Sequence, residues 1–254
     1  MRSYIAFIKK EWIDYLRNYK ILIIIIVFAI LGIISPLSAK FMPEIIREFM
    51  PADISIQLTE PSNIDSWTQF FKNISQMGTI VAIIIFSGMM SHEYEKGTLV
   101  NLITKGLSRK TVVAAKYTVV VLIWTISYWI CFFIASIYTR YYFPEGKTTG
   151  LFLAVFSFYF FGIMLFSIVM LGSISFKNIY GSLLFTAGFT VILFIINMFP
   201  KAIKWNPLQL ANSNIKILQG ILTFYDIKYS FVIMMLISLC ALRLSIRIFN
   251  EKSL

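Results

Sequence analysis

Six stretches of the chain are long and apolar enough to cross a bilayer, for which about 20 mostly apolar residues suffice. They fall at residues 21–39, about 74–92, about 117–138, about 151–173, about 180–199 and about 229–249. The fourth and fifth are separated only by Ser175-Phe176-Lys177-Asn178, and Lys177 is the only charge between Thr148 and Pro200. That break predicts a tight turn at one membrane face. The pattern as a whole predicts an all-α polytopic membrane protein with six transmembrane helices. The first span is read as an uncleaved anchor. The residues before it carry Glu11 and Asp14, and its exit, Pro36-Leu37-Ser38-Ala39, lacks the small residue wanted three before a signal-peptide cleavage site.

Ahead of the first span, residues 3–19 alternate with helical period. Ile5, Ile8, Trp12, Leu16 and Tyr19 recur at intervals of three and four, while Lys10, Asp14, Arg17 and Asn18 fall largely on the other side. An amphipathic helix over residues 1–20 follows, lying in the membrane interface with Ile8, Trp12 and Leu16 toward the bilayer and Trp12, Tyr15 and Tyr19 at headgroup level. Such a helix either orients the first span or works as a lever beside a partner; amphipathicity does not choose. Between the first two spans, residues 40–73 make a long outer loop with Glu44, Glu48, Asp53, Glu60 and Asp65. Pro43 to Met50 is read as a short amphipathic helix. A second helical stretch opens at Pro61-Ser62-Asn63, and its Trp67, Phe70 and Phe71 favour a cap anchored at the bilayer interface over an outer gate or exit surface. Shorter outer loops are expected at 139–150 and 200–228.

Composition fixes the class. Of the 254 residues, 58% are hydrophobic and 14% charged, against about 45–50% and about 25% in soluble domains. Mean hydropathy is +0.78. A soluble enzyme, a disordered chain and a disulfide scaffold are excluded; Cys131 and Cys240 lie inside apolar runs. The net charge of +11 would suggest nucleic acid in a soluble protein, but here it reflects basic residues gathered at membrane helix ends, and no nucleic-acid partner is expected. With the N-terminus inside, the inner segments hold 14 Lys and Arg and the outer segments 9, so both termini are expected in the cytoplasm. Lys201, Lys204, Lys216 and Lys228 run against that bias.

Catalytic and ion-relay chemistry is sparse. Tyr141 to Thr148 ends in Gly146-Lys147-Thr148 but has Tyr141 where a P-loop needs glycine, so this chain is not expected to hydrolyse ATP. No acidic residue occurs between Gly146 and Tyr225, whereas proton- and ion-coupled carriers place ionisable groups within the membrane. His92 is the only histidine, too few for a zinc site, and is read as a polar residue at the end of a span. Ser87, Thr125, Ser127, Thr186, Thr190, Asn197 and Ser238 are helix-packing groups or lining of a substrate path; the sequence leaves both open.

The segment between the second and third spans, 93–116, carries the most specific signal. Glu93 and Glu95 close the second span, Gly97 permits a sharp turn, and Thr98 to Ile103 forms a short apolar-faced helix. Gly106 suits its C-terminal cap, and Ser108 suits the N-cap of the helix that carries Lys116 into the third span. The neighbouring Lys96 and Lys105 are the simplest charge partners for the two glutamates.

Glu93, Gly97, Thr98, Leu99, Leu102, Ser108, Arg109 and Lys116 resemble, in order and place, the loop of permease subunits of type-2 ABC transporters, the ABC-2 exporters. That family often has proline where this chain has Gly106. The resemblance extends over nearly the whole chain, including the N-terminal helix, the six spans and the outer Asn206-Pro207-Leu208. It implies a connecting helix at 1–20 and a six-span domain at 21–254. The short helix of loop 93–116 would couple to an ATPase, with Glu93, Gly97, Thr98, Leu99, Leu102, Ser108 and Arg109 in that role and Lys177 at a second, smaller contact. It further implies a separate nucleotide-binding ATPase subunit, which holds ATP and Mg, and a second permease copy, identical or related. This chain itself would carry no cofactor, metal or catalytic residue. The setting is a multi-pass protein of a bacterial cytoplasmic membrane that exports an amphiphilic peptide, lipid or drug. An ATP-independent channel or carrier, and a polytopic membrane enzyme, are the alternatives.

Overall fold

A computed structural model describes residues 2–49, 60–95, 97–98, 103–104, 106–144 and 148–252. Among these the regular elements are all helices, with no strand. Helix α1 is Arg2–Arg17 and α2 is Lys20–Phe49; α3 is Asn63–Asn73, followed by a π turn at Ile74–Gly78 and by α4 at Thr79–Glu95. Then come α5 (Arg109–Tyr142), α6 (Leu151–Phe176) and α7 (Ile179–Asn197). A 3-10 turn at Ile203–Trp205, the short α8 (Gln209–Asn212) and α9 (Asn214–Leu218), and α10 (Phe224–Glu251) complete the order. Among the described residues six helices are long and apolar enough to cross a membrane, with α3, the π turn and α4 forming one of them.

The spans extend beyond their apolar stretches because polar groups close them. Helix α3 starts at the expected place: Ser62 caps it through a reciprocal capping box with Asp65. Its aromatic residues, however, are not interface anchors. Trp67, Phe70 and Phe71 are buried; Trp67 stacks on Phe132 at 5.5 Å and Phe70 meets Tyr128 edge-on at 6.3 Å. Three and four residues apart, they share a face that neighbouring α5 covers, so burial in protein wins over the headgroup layer. Pro43 likewise opens no separate helix: α2 runs through Pro36 and Pro43 to Phe49. Beside Pro36, the Ser35 hydroxyl donates to the Leu31 carbonyl at 2.6 Å and accepts from Asn73 at 3.0 Å, which helps a proline-interrupted span keep its polar groups paired.

Packing is uneven. Helix α6 lies innermost, with Phe158 and Phe166 against Tyr128, Trp124 and Phe86. The apolar stretches of α7 and α10 are only 17% buried. The α6–α7 turn is as expected: Lys177 takes a left-handed φ of 58°, and the Asn178 side chain caps α7 by accepting from Gly181 N–H. Segment 203–218, expected as part of an outer loop, is a folded cap. Its Asn206 amide donates to the Leu193 carbonyl at 2.7 Å, its carbonyl oxygen accepts from Leu208 N–H at 3.0 Å, and Leu208, Leu210, Ile217 and Leu218 are buried.

Candidate functional site

The end of the bundle that bears both termini carries a buried ionic cluster. Lys116, in the first turns of α5, donates to Glu11 of α1 at 2.7 Å and lies 3.2 Å from Glu93 at the end of α4. Lys10 donates to Glu11 at 2.7 Å and to Glu93 at 2.6 Å. Lys116 and Glu11 are 4% and 2% exposed, Lys10 45%. Phe7 lies beneath both ammonium groups, at 5.1 Å from Lys10 and 5.9 Å from Lys116. Burial opposes the charge on Lys10, but the carboxylates of Glu11 and Glu93 outweigh it and hold its pKa above the ordinary lysine value. Burial, then the negative charges of Glu11, Asp14 and Glu93, push the Tyr15 phenol far upward. Glu93 therefore has partners beyond the neighbouring Lys96 and Lys105, which lie outside the described residues. It bridges three helices.

This cluster defines a second face of α1. Tyr4, Phe7, Glu11 and Tyr15 point into the protein, and the Tyr4 hydroxyl lies 2.8 Å from Thr118 Oγ1. Ile5, Leu16 and Tyr19 point outward and Ile8 and Trp12 are half-buried, whereas Tyr15, expected at headgroup level, is buried in the protein. The inward face went unread because a glutamate sits at its centre. Its signal was the three- and four-residue spacing of Tyr4, Phe7, Glu11 and Tyr15.

The expected coupling residues are arranged around the same end. Gly97 and Gly106 take φ of 64° and 85°; a Cβ there would meet nothing within 4 Å, so the left-handed backbone alone calls for glycine. Thr98 is half-buried beside Gly97. Leu99 and Leu102 lie outside the described residues, as does most of the segment expected to form a short helix between the glycines. Ser108 caps α5 by accepting from Thr111 N–H at 3.2 Å. Arg109 turns back onto the end of α10, donating to the carbonyls of Phe249 and, at 2.7 Å, of Lys252, with its guanidinium 5.3 Å above the Phe249 ring. Phe249 meets Tyr94 edge-on, and Lys177 lies 5.4 Å above the Tyr94 ring. Lys252 donates to the Ile174 carbonyl at 2.8 Å and to that of Ser175, tying α10 to the end of α6. So Glu93, Ser108, Arg109 and Lys177 share one layer, in which the ends of α4, α6 and α10 and the start of α5 are joined.

A pocket of about 550 Å³ opens farther along the bundle between the π turn, α4, α6, α7 and α8. Its walls are apolar, with Gln76, Thr79, Thr186, Thr190 and Asn212 supplying uncharged polar groups. The π turn, a rare element enriched at functional sites, brings Ser75 and Gln76 to its lining. Thr186 and Thr190, polar groups of the fifth span, both face it. Among the described residues no group of three or more His, Cys, Asp and Glu is placed to hold a metal.

Comparison with known proteins agrees with the architecture. The chain is similar over 214 residues to the uncharacterized transmembrane protein YxlG of Bacillus subtilis (strain 168), at 21% identity covering 83% of each chain. The family model for ABC-2 family transporter protein matches residues 5–238. That match takes in the ionic cluster, the glycine-bounded loop, Lys177 and the first half of the sixth span, and this multi-pass membrane protein belongs to the ABC-2 transporter family.

Proposed function

We propose that the chain is the membrane-spanning permease subunit of an ATP-driven exporter, coupled to a separate ATPase subunit through loop 93–116 with Lys177 as a second contact. The observation that carries this reading is the shared layer around Glu93, Arg109 and Lys177. There a short segment between two left-handed glycines is joined at one end to α4, which Glu93 ties to α1 and α5, and at the other to α5, which Arg109 ties to α10. A partner pressing on such a segment displaces whole helices, because packed elements shift as rigid bodies. The excess of basic residues on the terminal side favours the cytoplasm for that layer. ATP and Mg belong to the partner.

Export of an amphiphile fits the pocket beside the π turn, apolar with uncharged polar groups. The shallow burial of α7, with Val191, Ile192, Phe194 and Ile195 exposed, suits a second permease copy against that flank, identical or related. The test is transport in proteoliposomes containing the chain with its co-purified ATPase. Efflux of a fluorescent amphiphile that needs hydrolysable ATP, and that is lost in Gly97→Pro combined with Leu102→Asp, is expected. Efflux by the chain alone without ATP would instead make it a channel or carrier.

A further inference from the structure

The four outer lysines that run against the charge bias are not scattered. Two of them form a stack with aromatic rings at the end of the bundle away from the termini. Lys204 lies 5.7 Å above Trp205, Trp205 packs on Tyr229 at 4.5 Å, and Lys228 lies 5.1 Å above Tyr229 and 5.6 Å above Tyr225. The stack is held in place: Ser230 Oγ donates to the Lys204 carbonyl and to Gln209, each at 3.0 Å. Among the described residues neither lysine has a carboxylate partner. The adjacent carboxylate, Asp226, is engaged in capping its own helix, accepting from Thr223 N–H at 2.8 Å and from the Thr223 hydroxyl at 2.9 Å. Segment 200–222 adds Lys201 and Lys216 and no acid.

The stack also sits at a defined depth. Lys228 is about 14 Å along the axis from the middle of α10, at 1.5 Å per residue, close to half of the about 30 Å hydrocarbon thickness. One turn farther in, a wholly apolar groove of about 380 Å³ runs between α5, α6 and α10. On α10, Phe231, Met235, Leu239 and Leu242 line it, continuing the face of Lys228 at steps of three and four residues. Met235 and Leu239 are exposed, so the groove opens sideways toward the bilayer. A cationic head site and an apolar channel thus share one helix face.

We propose that an anionic phospholipid of the surrounding bilayer binds along α10, with its phosphate on Lys228 and Lys204 and one acyl chain in the groove below. The aromatic rings hold the ammonium groups at headgroup level, where Trp and Tyr settle, and the groove replaces a lipid–lipid surface with a shaped one. The site is separate from the pocket beside the π turn and from loop 93–116, so it does not depend on the ATPase.

The test titrates the purified full-length chain in neutral detergent with phosphatidylglycerol or phosphatidylcholine, reading lipid retention by native mass spectrometry. Preferential retention of phosphatidylglycerol is expected, weakened roughly five-fold for each lysine removed in Lys204→Ala with Lys228→Ala. The pair Lys204→Arg with Lys228→Arg keeps the native preference, which separates lost charge from a damaged fold. Ser238→Phe, which fills the groove, weakens retention with both lysines in place. Glycerol phosphate, lacking acyl chains, does not compete. Equal retention of the two lipids, or an unchanged preference in the double alanine variant, overturns the proposal; competition by glycerol phosphate at equal concentration removes the groove from it.

Discussion

Lys116→Met tests the ionic cluster directly. In the native chain Lys116 sits 2.7 Å from Glu11 and 3.2 Å from Glu93, and all three side chains are 10% exposed or less. The variant leaves two desolvated carboxylates with Lys10, whose ammonium is partly in solvent. Breaking a buried pair by removing one partner costs about 3–5 kcal/mol, a shift of about a hundred- to a few thousand-fold in the folded-to-unfolded ratio. Replacing the three buried members together, as Glu11→Leu, Glu93→Leu and Lys116→Met, is expected to restore most of that stability, because an apolar core of similar volume is often as stable as a buried ion network. The assay is unfolding in mixed micelles with increasing anionic detergent, followed by fluorescence of the buried Trp67 and Trp124. A loss below about 1 kcal/mol in Lys116→Met, the size of an exposed pair, would refute a buried cluster. A triple variant no more stable than the single one would refute the account of its energetics. If the cluster also transmits motion, the triple variant stays folded but no longer links ATP hydrolysis to transport.

Three further outcomes follow from the same structure. Lys10 has a raised pKa, so its stabilising contribution is complete below the ordinary lysine value and is lost as pH rises through the raised one; Lys10→Gln should flatten that alkaline decline in a pH series of unfolding midpoints. Arg109→Ala removes charge-assisted bonds to the end of α10, each worth about 1.5–3 kcal/mol, and hydrogen exchange at residues 247–252 should speed up by at least ten-fold while the middle of α10 is unchanged. In Gly162→Ala the new Cβ would lie 2.5 Å from the Trp124 ring, an overpacking cost of about 1–3 kcal/mol, visible as a lower unfolding midpoint and a shifted Trp emission.

The spans were legible because twenty-residue apolar runs have few other uses, and turn chemistry at Lys177-Asn178 and the caps at Ser62 and Ser108 were legible because they depend on neighbouring residues alone. What escaped the sequence depends on distant partners. Trp67, Phe70 and Phe71 suit a headgroup layer and a protein core equally well, and only the presence of Phe132 and Tyr128 decides between them. Glu93 has Lys96 three positions on, yet Lys10 and Lys116, which it bridges, stand 83 and 23 residues away, on α1 and α5. Glu11 reads in the sequence only as a charge ahead of the first span, and its partner Lys116 stands 105 residues away. The outer lysines appeared as exceptions to a charge rule, whereas the fold turns two of them into a patch with the rings of Trp205, Tyr225 and Tyr229.

The central claim is that this permease works with a separate ATPase that engages loop 93–116. Mild-detergent affinity purification of the tagged chain from its native membranes, followed by mass spectrometry, tests it most directly. The account predicts a P-loop ATPase in stoichiometric amount, lost in the Gly97→Pro, Leu102→Asp variant while the permease itself stays intact. A clean preparation of this chain with no ATPase would contradict it.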